Sequence, residues 1–309
     1  MHTLVTGGAG FIGSNVVRLL LERGHSVTVF DNLSSGYESN VSEQDVRLVR
    51  GDVRDYAALA EAARGAEAVF HLAASVGNKR SIDDPFGDTQ TNALGTLHVL
   101  EAARHAGVRK VVYSSSAGIF GELKTLPIAE DHPIDPITPY GVSKLAGEKH
   151  CLAYARLYDL EAVCLRYFNV YGVHQRYDAY GNVIPIFATL MLRGEPITVF
   201  GDGEQTRDFI NVRDVASANV LAAESVGVNG AFNLGSATAI SINDLVRLLG
   251  RAVGTPARLA HGAPRPGDVR DSLADISAIR TALGFAPAVE IEPGLGEYIV
   301  WLREELSGQ

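Results

Sequence analysis

Two side chains that can exchange a proton, Tyr140 and Lys144, lie four residues apart directly after the loop 136–139. The pattern predicts a helix over residues 140–158, and positions i and i+4 share one face of a helix, so the phenol and the ammonium point the same way. A free tyrosine has a pKa of about 10, so a general base working near neutral pH needs that pKa lowered by about three units, or about 4 kcal/mol. A nearby ammonium and a second cation can supply an amount of that order where solvent is excluded. Ser116, at the end of the preceding predicted strand, can hold the same ligand oxygen that Tyr140 deprotonates.

A glycine-rich turn near the N-terminus predicts a dinucleotide site. Gly7-Gly-Ala-Gly10-Phe-Ile-Gly13 joins a predicted strand to a helix, and the next predicted strand ends at Asp31, 24 residues after Gly7. Gly7 permits the tight turn, Gly10 lets a diphosphate approach the main chain, and Gly13 lets the helix lie close to the strand. The phosphates then face the positive end of the helix. A carboxylate at Asp31 can accept hydrogen bonds from both ribose hydroxyls and repels a 2′-phosphate, which favours NAD over NADP.

Composition limits the classes of protein that the chain can be. Its 309 residues suffice for a large core, and 46% hydrophobic and 20% charged residues are typical of a globular protein. The formal net charge of −9 argues against nucleic acid as the main partner. No apolar run reaches the roughly 18 residues of a membrane span, and the N-terminus lacks the pattern of a secretion signal, so we expect a cytoplasmic protein with no membrane partner. Cys151 and Cys164 lack metal-ligand spacing, so we expect reduced packing residues and no metal site.

Short apolar runs alternate with helical patterns through the first half of the chain. This alternation predicts an α/β fold, a Rossmann-type doubly wound parallel sheet with helices on both faces. Ligands of such sheets bind at the carboxyl ends of the strands. The residues at the ends of the predicted strands 46–50, 68–72 and 110–114 should therefore line one crevice: Asp52, Val53, Leu72, Ala73, Ala74 and the serines 114–116.

Polar residues near this crevice each allow two interpretations. The Asp52 carboxylate suits the amino group of an adenine, but Asp52 or Asp55 can equally cap the N-terminus of a helix. His71, a single histidine in a strand, is more often packed than catalytic. Asn92 begins a predicted helix over residues 92–105, where its amide can orient a neighbouring loop or cap a turn.

The regular alternation breaks after about residue 170, where Gly, Pro and Arg cluster in predicted loops. We infer a smaller mixed α/β C-terminal substrate region folded over the crevice. A predicted helix over residues 213–225 belongs to the Rossmann domain. The chain should therefore cross between the Rossmann domain and the substrate region more than once. We expect a Rossmann domain of residues 1–170, joined by 208–235, and a substrate region of residues 171–207 and 236–309.

Six segments carry a family resemblance: Gly7 to Gly13, Asp31-Asn-Leu-Ser-Ser-Gly36, His71-Leu-Ala-Ala74, Ser114 to Ser116, Tyr140 to Lys144, and Arg166-Tyr-Phe-Asn-Val-Tyr-Gly172. As a set they resemble an extended short-chain dehydrogenase/reductase. Within that family the chain is most similar to nucleotide-sugar 4-epimerases of the UDP-glucose or UDP-N-acetylglucosamine type. The resemblance covers essentially the whole length.

The resemblance implies a role for each matching position. Tyr140 is the base that takes the proton of the sugar 4-hydroxyl, Lys144 is its electrostatic partner and Ser116 shares that hydroxyl. The implied NAD contacts are Gly7, Gly10, Phe11, Ile12, Gly13, Asp31, Asn32, Gly36, Asp52, Val53, Leu72, Ala73, Ala74, Asn92, Tyr140, Lys144 and Phe168. The implied sugar and uracil contacts are Asn169, Asn182, Val183 and Phe200, with Arg207 and Arg265 as a diphosphate clamp and Asp268 as the acceptor for the uridine ribose. Without the resemblance, either arginine would more often be a surface residue or a structural ion pair.

The implied reaction is transient oxidation at C4: hydride passes to NAD, the keto sugar turns in the pocket, and hydride returns to its opposite face. Two departures from the family pattern bear on this. Gly118 and Ala117 stand where 4,6-dehydratases carry glutamate and aspartate, so the general acid for elimination is missing. Ser272 stands where a bulky tyrosine restricts some members to plain hexoses, so a 2-acetamido group has room unless a neighbour refills the space.

We therefore expect an NAD-dependent 4-epimerase of UDP-glucose and UDP-galactose, and of their N-acetylated forms if Ser272 leaves the room. A UDP-glucuronate 4-epimerase, or another NAD-dependent enzyme that modifies a nucleotide sugar, is the alternative; the former needs cations at the C6 carboxylate, and Arg80 and Arg176 are the nearest candidates. A non-catalytic NAD-binding regulator is more remote, because it can dispense with the proton-transfer residues. The resemblance also implies a homodimer through the helices 92–105 and 140–158, whose apolar faces are otherwise core.

Overall fold

The computed structural model describes residues 1–177, 182–263 and 269–308. Its strands are β1 (His2–Thr6), β2 (Ser26–Asp31), β3 (Val46–Arg50), β4 (Ala68–His71), β5 (Lys110–Ser116), β6 (Glu161–Tyr167), β7 (Asn169–Tyr171), β8 (Ile197–Phe200), β9 (Thr206–Asn211), β10 (Gly230–Leu234), β11 (Ala239–Ser241) and β12 (Leu259–Gly262). Its helices are α1 (Phe11–Glu22), α2 (Tyr56–Ala62), α3 (Asn78–Asp83), α4 (Pro85–Thr89), α5 (Gly95–His105), α6 (Pro139–Leu157), α7 (Val183–Leu192), α8 (Val212–Glu224), α9 (Ile242–Val253), α10 (Ser277–Leu283) and α11 (Ile291–Ser307). Short turns of 3₁₀ helix span Glu38–Asn40 and Ala117–Ile119, and a π-helical turn spans Gln90–Leu94.

Seven strands form the central sheet in the order β10-β6-β5-β4-β1-β2-β3, and every neighbouring pair is parallel. The chain starts in the middle at β1, builds outward to β3, and then crosses to β4 and the other half. The strand order therefore reverses between β1 and β4, the point at which such sheets leave a crevice for ligands. The predicted Rossmann-type α/β fold is confirmed.

Helices cover both faces of this sheet. One buried cluster joins the sheet to α1 and α8, through residues such as Val17, Leu20 and Ala222, and to Ile279 of α10. A second cluster joins the other face to α2, α5 and α6 through residues such as Leu59, Leu100 and Cys151. The helix predicted at residues 213–225 is α8, and it packs against α1 in the main body.

The C-terminal part has a core of its own. A three-stranded sheet, β11-β9-β7, and a two-stranded sheet, β12-β8, accompany the helices α7, α9 and α11. Phe187, Leu245 and Tyr298 are among the side chains that these elements bury together. Among the described residues, no helix combines the length and the apolar character that crossing a membrane requires. The exact domain boundaries stay a prediction.

The predicted start of a helix at Asn92 is wrong. α4, the π-helical turn and α5 follow one another without a break, so the helical segment starts at Pro85 and Asn92 lies in the π-helical turn. The start signal is Asp84, whose side chain accepts a hydrogen bond from the Gly87 amide, followed by proline at the first helical position. π-helical turns are frequent at functional sites.

Candidate active site

A cavity of about 1530 Å³ is lined by residues at the carboxyl ends of the central strands and by residues of the C-terminal part. Clefts for one drug-sized ligand measure about 300–1,000 Å³, so this cavity has room for a second ligand beside the first. The predicted ligand-binding residues that line it are Gly7, Gly10, Phe11, Ile12, Gly13, Asp31, Asn32, Gly36, Asp52, Val53, Leu72, Ala73, Ala74, Ser116, Tyr140, Lys144, Phe168, Asn169, Asn182, Val183, Phe200, Arg207 and Ser272.

The turn between β1 and α1 forms one wall. Gly7 has a φ of +72°, and a Cβ there would lie 2.6 Å from the amide nitrogen of Ala73. A Cβ on Gly13 would lie 2.1 Å from the carbonyl oxygen of Gly7, so only glycine permits this close approach of helix and turn. α1 begins at Phe11 with no side-chain cap and no acidic residue in its first turn. Its positive end is therefore open at the cavity wall, which fits the diphosphate of a dinucleotide.

Asp31 ends β2 beside this turn. Its Oδ2 accepts a hydrogen bond from the Ala9 amide at 3.0 Å, and its Oδ1 accepts one from the Leu33 amide at 2.8 Å. Burial raises the pKa of Asp31, and the two main-chain hydrogen bonds oppose that rise. Each carboxylate oxygen can accept more than one hydrogen bond, so the pair of oxygens retains acceptor capacity for two ribose hydroxyls.

Asp52 lies in the cavity wall and does not cap a helix. Its carboxylate lies 2.6 Å from Nη2 of Arg54 and 2.9 Å from Nδ2 of Asn32, and these hydrogen bonds, chiefly those from Arg54, hold the pKa of Asp52 well below its usual range. Asp55 caps α2 instead, because its Oδ1 accepts from the Ala58 amide at 3.1 Å. Asp55, and not Asp52, is therefore the N-cap of α2.

Asn92 is buried behind the cavity and is not part of its wall. Its Oδ1 accepts from the Ser75 amide at 2.8 Å, and its Nδ2 lies 2.9 Å from the Ser75 carbonyl oxygen. The same Nδ2 lies 2.9 Å from Oδ1 of Asp88 and 3.1 Å from Oγ of Ser143. The amide of Asn92 therefore orients the loop after β4, and its implied contact with NAD stays a prediction.

α6 brings Tyr140 to the end of β5. The helix begins where the Thr138 hydroxyl accepts a hydrogen bond from the Gly141 amide at 3.2 Å, with Pro139 in its first turn. A Cβ built on Gly118 would lie 3.3 Å from Oγ of Ser116 and 3.7 Å from Cδ1 of Tyr140, so these two side chains lie next to each other at the cavity wall. The structure thus brings together the two hydroxyls that the sequence places 24 residues apart.

The protein alone does not favour a phenolate at Tyr140. Burial raises the pKa of Tyr140 to about 12; the hydrogen bond from Ser116 opposes the rise and the negative charge of Asp88 adds to it. The expected lowering of this pKa by the ammonium and a second cation together stays a prediction, and burial of the phenol opposes it. A further cation bound in the cavity is what would make Tyr140 a base near neutral pH.

Lys144 lies one helical turn after Tyr140 and is 2% exposed. Its Nζ donates a hydrogen bond to Oγ of Ser114 at 3.3 Å and lies 4.6 Å from the centre of the Tyr113 ring, a favourable position for a cation. Burial lowers the pKa of Lys144 to about 8, while the negative charge of Asp88 acts in the opposite direction. The ammonium therefore stays largely protonated at pH 7.

His71 is a packing residue, as its position in a strand predicts. Its Nδ1 lies 2.8 Å from the Thr6 hydroxyl and its Nε2 lies 3.0 Å from the Thr96 hydroxyl. Burial, with a contribution from the charge of Lys144, lowers the pKa of His71 to about 3. The imidazole is neutral at physiological pH and takes no part in the cavity wall.

The turn after β5 carries no acid. A Cβ on Gly118 would lie 3.3 Å from Oγ of Ser116 and 3.7 Å from Cδ1 of Tyr140. A side chain at this position would therefore start beside the proton-transfer pair, and its neighbour Ala117 has only a methyl group. The acid that the resemblance requires of a dehydratase is missing where it would act.

The C-terminal part supplies the remaining wall. Arg207 of β9 lines the cavity, and its Nη1 donates to the carbonyl oxygen of Thr206 at 2.7 Å. Ser272 also lines the cavity. The predicted diphosphate ligand Arg265 and the predicted ribose acceptor Asp268 lie outside the described residues.

Several cavity residues were not predicted. An apolar group from α7 and the segment before β8 lines the part of the cavity that the C-terminal region forms, and its signal in the sequence is the mostly apolar run of α7: Pro185, Ile186, Phe187, Leu190 and Pro196. Tyr37 and Asn40 line the cavity next to the glycine-rich turn, together with Arg176, which the sequence suggests only as a carboxylate ligand. No cluster of three or more His, Cys, Asp or Glu side chains suited to a metal occurs among the described residues.

Comparison with known proteins gives a consistent result. A model of the NAD dependent epimerase/dehydratase family matches residues 3–235. The chain is 40% identical over 313 residues to UDP-glucose 4-epimerase of Mycolicibacterium smegmatis, covering 99% of both. The crystal structure of UDP-glucose 4-epimerase from Thermotoga maritima with UDP-glucose superposes with a TM-score of 0.94 at 40% identity, covering 99% of this chain and 100% of that one. UDP-N-acetylglucosamine 4-epimerase from Methanobrevibacter ruminantium M1, in complex with UDP-N-acetylmuramic acid, has a TM-score of 0.94 at 35% identity and 98% coverage of each chain.

Proposed function

The chain belongs to the NAD dependent epimerase/dehydratase family, and from this premise we propose that it inverts C4 of a UDP-hexose, interconverting UDP-glucose and UDP-galactose. The cofactor of this family is NAD. The observation that carries the proposal is a cavity wall that holds Ser116, Tyr140 and Lys144 together and has no acid at Gly118. This set can move a proton at one oxygen and lacks the group needed for elimination.

Each of these side chains has a distinct task. When bound, NAD accepts a hydride from C4 of the sugar and supplies it again. Tyr140 takes the proton of the 4-hydroxyl and later returns it, while Ser116 holds the same oxygen. Lys144, protonated and one turn away, stabilises the negative charge that develops on the phenol.

Inversion requires that the keto sugar turn between the two hydride transfers, so the nucleotide has to hold the ligand. We assign this grip to Arg207 and Arg265 at the diphosphate and to Asp268 at the uridine ribose. Two guanidiniums facing a dianion are the local positive charge that a protein of formal net charge −9 needs there. Asn169, Asn182, Val183 and Phe200 are assigned to the sugar and the uracil.

The identity of the sugar depends on Ser272 and on the cations near C6. A serine in the cavity wall leaves room for a 2-acetamido group, so we include UDP-N-acetylglucosamine among the substrates to be tested. UDP-glucuronate remains the second candidate because Arg80 lines the cavity. Arg176 does not support it, since its guanidinium is paired with Glu305 at 2.6 Å.

We also propose a homodimer through α5 and α6. Leu94, just before α5, is 45% exposed, and Val142 and Leu157 of α6 are 53% and 72% exposed. Large apolar side chains exposed on adjacent helices are typical of a protein interface. Analytical ultracentrifugation should give twice the 33.0 kDa chain mass; a monomer at micromolar concentration would contradict the proposal.

The function is tested by incubating the purified protein with UDP-glucose, UDP-N-acetylglucosamine and UDP-glucuronate and resolving the C4 epimers. Tyr140→Phe should lose at least about 100-fold in turnover, the usual contribution of a general base, and should still bind NAD. Tyr158→Phe, which makes the same change in the exposed residue after α6, is the matched control. A non-catalytic regulator would convert none of the three sugars, and Tyr140→Phe would then have no effect on any readout.

A further inference from the structure

Arg176 connects the C-terminal helix to the loop after β2. Its Nε and Nη2 pair with the two carboxylate oxygens of Glu305 in α11 at 2.6 and 3.0 Å. Its Nη1 donates to Oδ1 of Asn40 at 3.0 Å, and the guanidinium carbon lies 3.9 Å from the centre of the Tyr37 ring. The Arg176 and Glu305 side chains are 13% and 23% exposed, so the pair is largely shielded from water. We call these four residues the latch.

The latch is one hydrogen bond away from the glycine-rich turn. Nδ2 of Asn40 and the amide of Tyr37 both donate to the carbonyl oxygen of Ala9, at 2.8 and 3.0 Å. The Ala9 amide in turn donates to the carboxylate of Asp31 at 3.0 Å. α11 is thereby linked, through hydrogen-bonded groups only, to the carboxylate assigned to the ribose of the cofactor. Tyr37, Asn40 and Arg176 all line the cavity.

The segment 173–176 that carries Arg176 is also fixed to the first helix. Nδ1 of His174 lies 2.8 Å from Oγ of Ser14, and Nδ2 of Asn15 donates to the Val173 carbonyl oxygen at 3.0 Å. His174 has a φ of +73°. A residue other than glycine keeps such a conformation only where its surroundings hold it, and such residues cluster at ligand sites. The segment is therefore held between the start of α1 and α11.

The positive charge of Arg176 is neutralised inside the latch. Because Glu305 neutralises Arg176 in a two-pronged ion pair, the guanidinium is not left over for a phosphate or a sugar carboxylate. We infer that the latch closes the adenosine end of the cavity and sets the rate at which NAD leaves. The inference rests on the proposed function, since a reaction that gives the hydride back to the same sugar requires the cofactor to remain bound between the two transfers.

The experiment measures NAD release from the full-length holoprotein. The protein is loaded with radiolabelled NAD, mixed with excess unlabelled NAD, and the label that stays bound is followed with time. Two variants weaken the ion pair. Glu305→Gln keeps the size of the side chain, and Arg176→Lys keeps the charge but loses the two parallel hydrogen bonds of the guanidinium. Each should release NAD about tenfold faster, equivalent to about 1.4 kcal/mol. The KM for UDP-glucose should not change. Glu297→Gln is the matched control, because it lies in α11 and breaks an exposed ion pair with Arg213, and its release rate should stay within about twofold of the wild type.

The outcomes separate this inference from the proposed function. Release rates of both latch variants within twofold of the wild type, or an equal acceleration in Glu297→Gln, would overturn the latch. Should Glu305→Gln fail to fold, Arg176→Lys decides alone. No sugar enters the release assay, so the two proposals can fail separately. If the latch variants release NAD faster but the protein epimerises none of the sugars, only the proposed function is refuted. If the protein epimerises a sugar but the latch variants release NAD at the wild-type rate, only the latch is refuted.

Discussion

Replacing Arg166 by methionine should destabilise the protein strongly, because the change leaves a buried carboxylate without its counter-charge. Arg166 of β6 donates from Nε and Nη2 to the two oxygens of Glu148 in α6, at 3.0 and 2.8 Å. The two side chains are 5% and 0% exposed. The Ser115 hydroxyl donates to the same carboxylate at 2.7 Å, and Nη1 of Arg166 donates to the Glu130 carbonyl oxygen at 3.0 Å. Removal of the guanidinium leaves the Glu148 carboxylate with one hydroxyl as its only remaining partner among these groups.

The expected magnitude follows from that burial. Removing one partner of a buried ion pair costs about 3–5 kcal/mol, whereas exchanging both partners for apolar groups is often neutral. Urea unfolding of Arg166→Met should show a loss in that range, and the double variant Arg166→Met with Glu148→Leu should recover most of it. Arg213→Met, which breaks an exposed pair, should lose less than about 1 kcal/mol. A loss below about 1 kcal/mol for Arg166→Met, or no recovery in the double variant, would refute the reasoning.

Three further outcomes are expected. Asp88→Asn removes a negative charge that raises the pKa of both Tyr140 and Lys144, so both pKa values should fall. The acidic limb of the pH–rate profile should therefore move to lower pH. A limb that does not move would show that the Asp88 carboxyl is uncharged in the working enzyme. Burial lowers the pKa of His71 from its ordinary value of 6.5 to about 3. At pH values between these two, His71 is therefore protonated in the unfolded state and neutral in the folded state. Between those values the wild type should lose up to about 1.4 kcal/mol of stability per pH unit relative to His71→Gln, as urea unfolding across that range would reveal. Gly13→Ala places a Cβ 2.1 Å from a carbonyl oxygen of the preceding turn, so the purified variant should carry no NAD, which its absorption spectrum would test.

The parts of the molecule that depend on neighbours in sequence were predictable. The strand, turn and helix around Gly7 to Gly13 follow from a few adjacent residues, and the shared face of Tyr140 and Lys144 follows from helical spacing. The start of the helix that contains Asn92 was missed because its signal, Asp84 followed by proline, lies eight residues upstream and was outweighed by the stronger apolar pattern of α5. Asp52 and Asp55 could not be told apart as helix caps, because both precede α2 at plausible distances.

Contacts between distant residues were not predictable. Arg176 and Glu305 are 129 positions apart, and nothing in either local sequence shows that the guanidinium will be neutralised. The same holds for the pKa of Tyr140, because the sequence shows the neighbouring ammonium but not the burial that raises this pKa. Burial is a property of the assembled fold, so the spacing of a Tyr and Lys pair does not by itself set the basicity of the phenol.

The burial of Tyr140 links the base to the latch. Burial raises the pKa of Tyr140 to about 12, which disfavours the phenolate at neutral pH, and lowers the pKa of Lys144 to about 8, at which the ammonium is still largely charged at neutral pH. A positive charge bound beside the phenol would lower the Tyr140 pKa without altering the protein. Under the proposed function, the oxidised nicotinamide ring carries that charge, so a chain that loses NAD loses its hydride acceptor and its general base together. Slow release of the cofactor therefore protects both the hydride transfer and the proton transfer, which gives a physical reason for the proposed closure of the adenosine end by the partly buried Arg176–Glu305 pair.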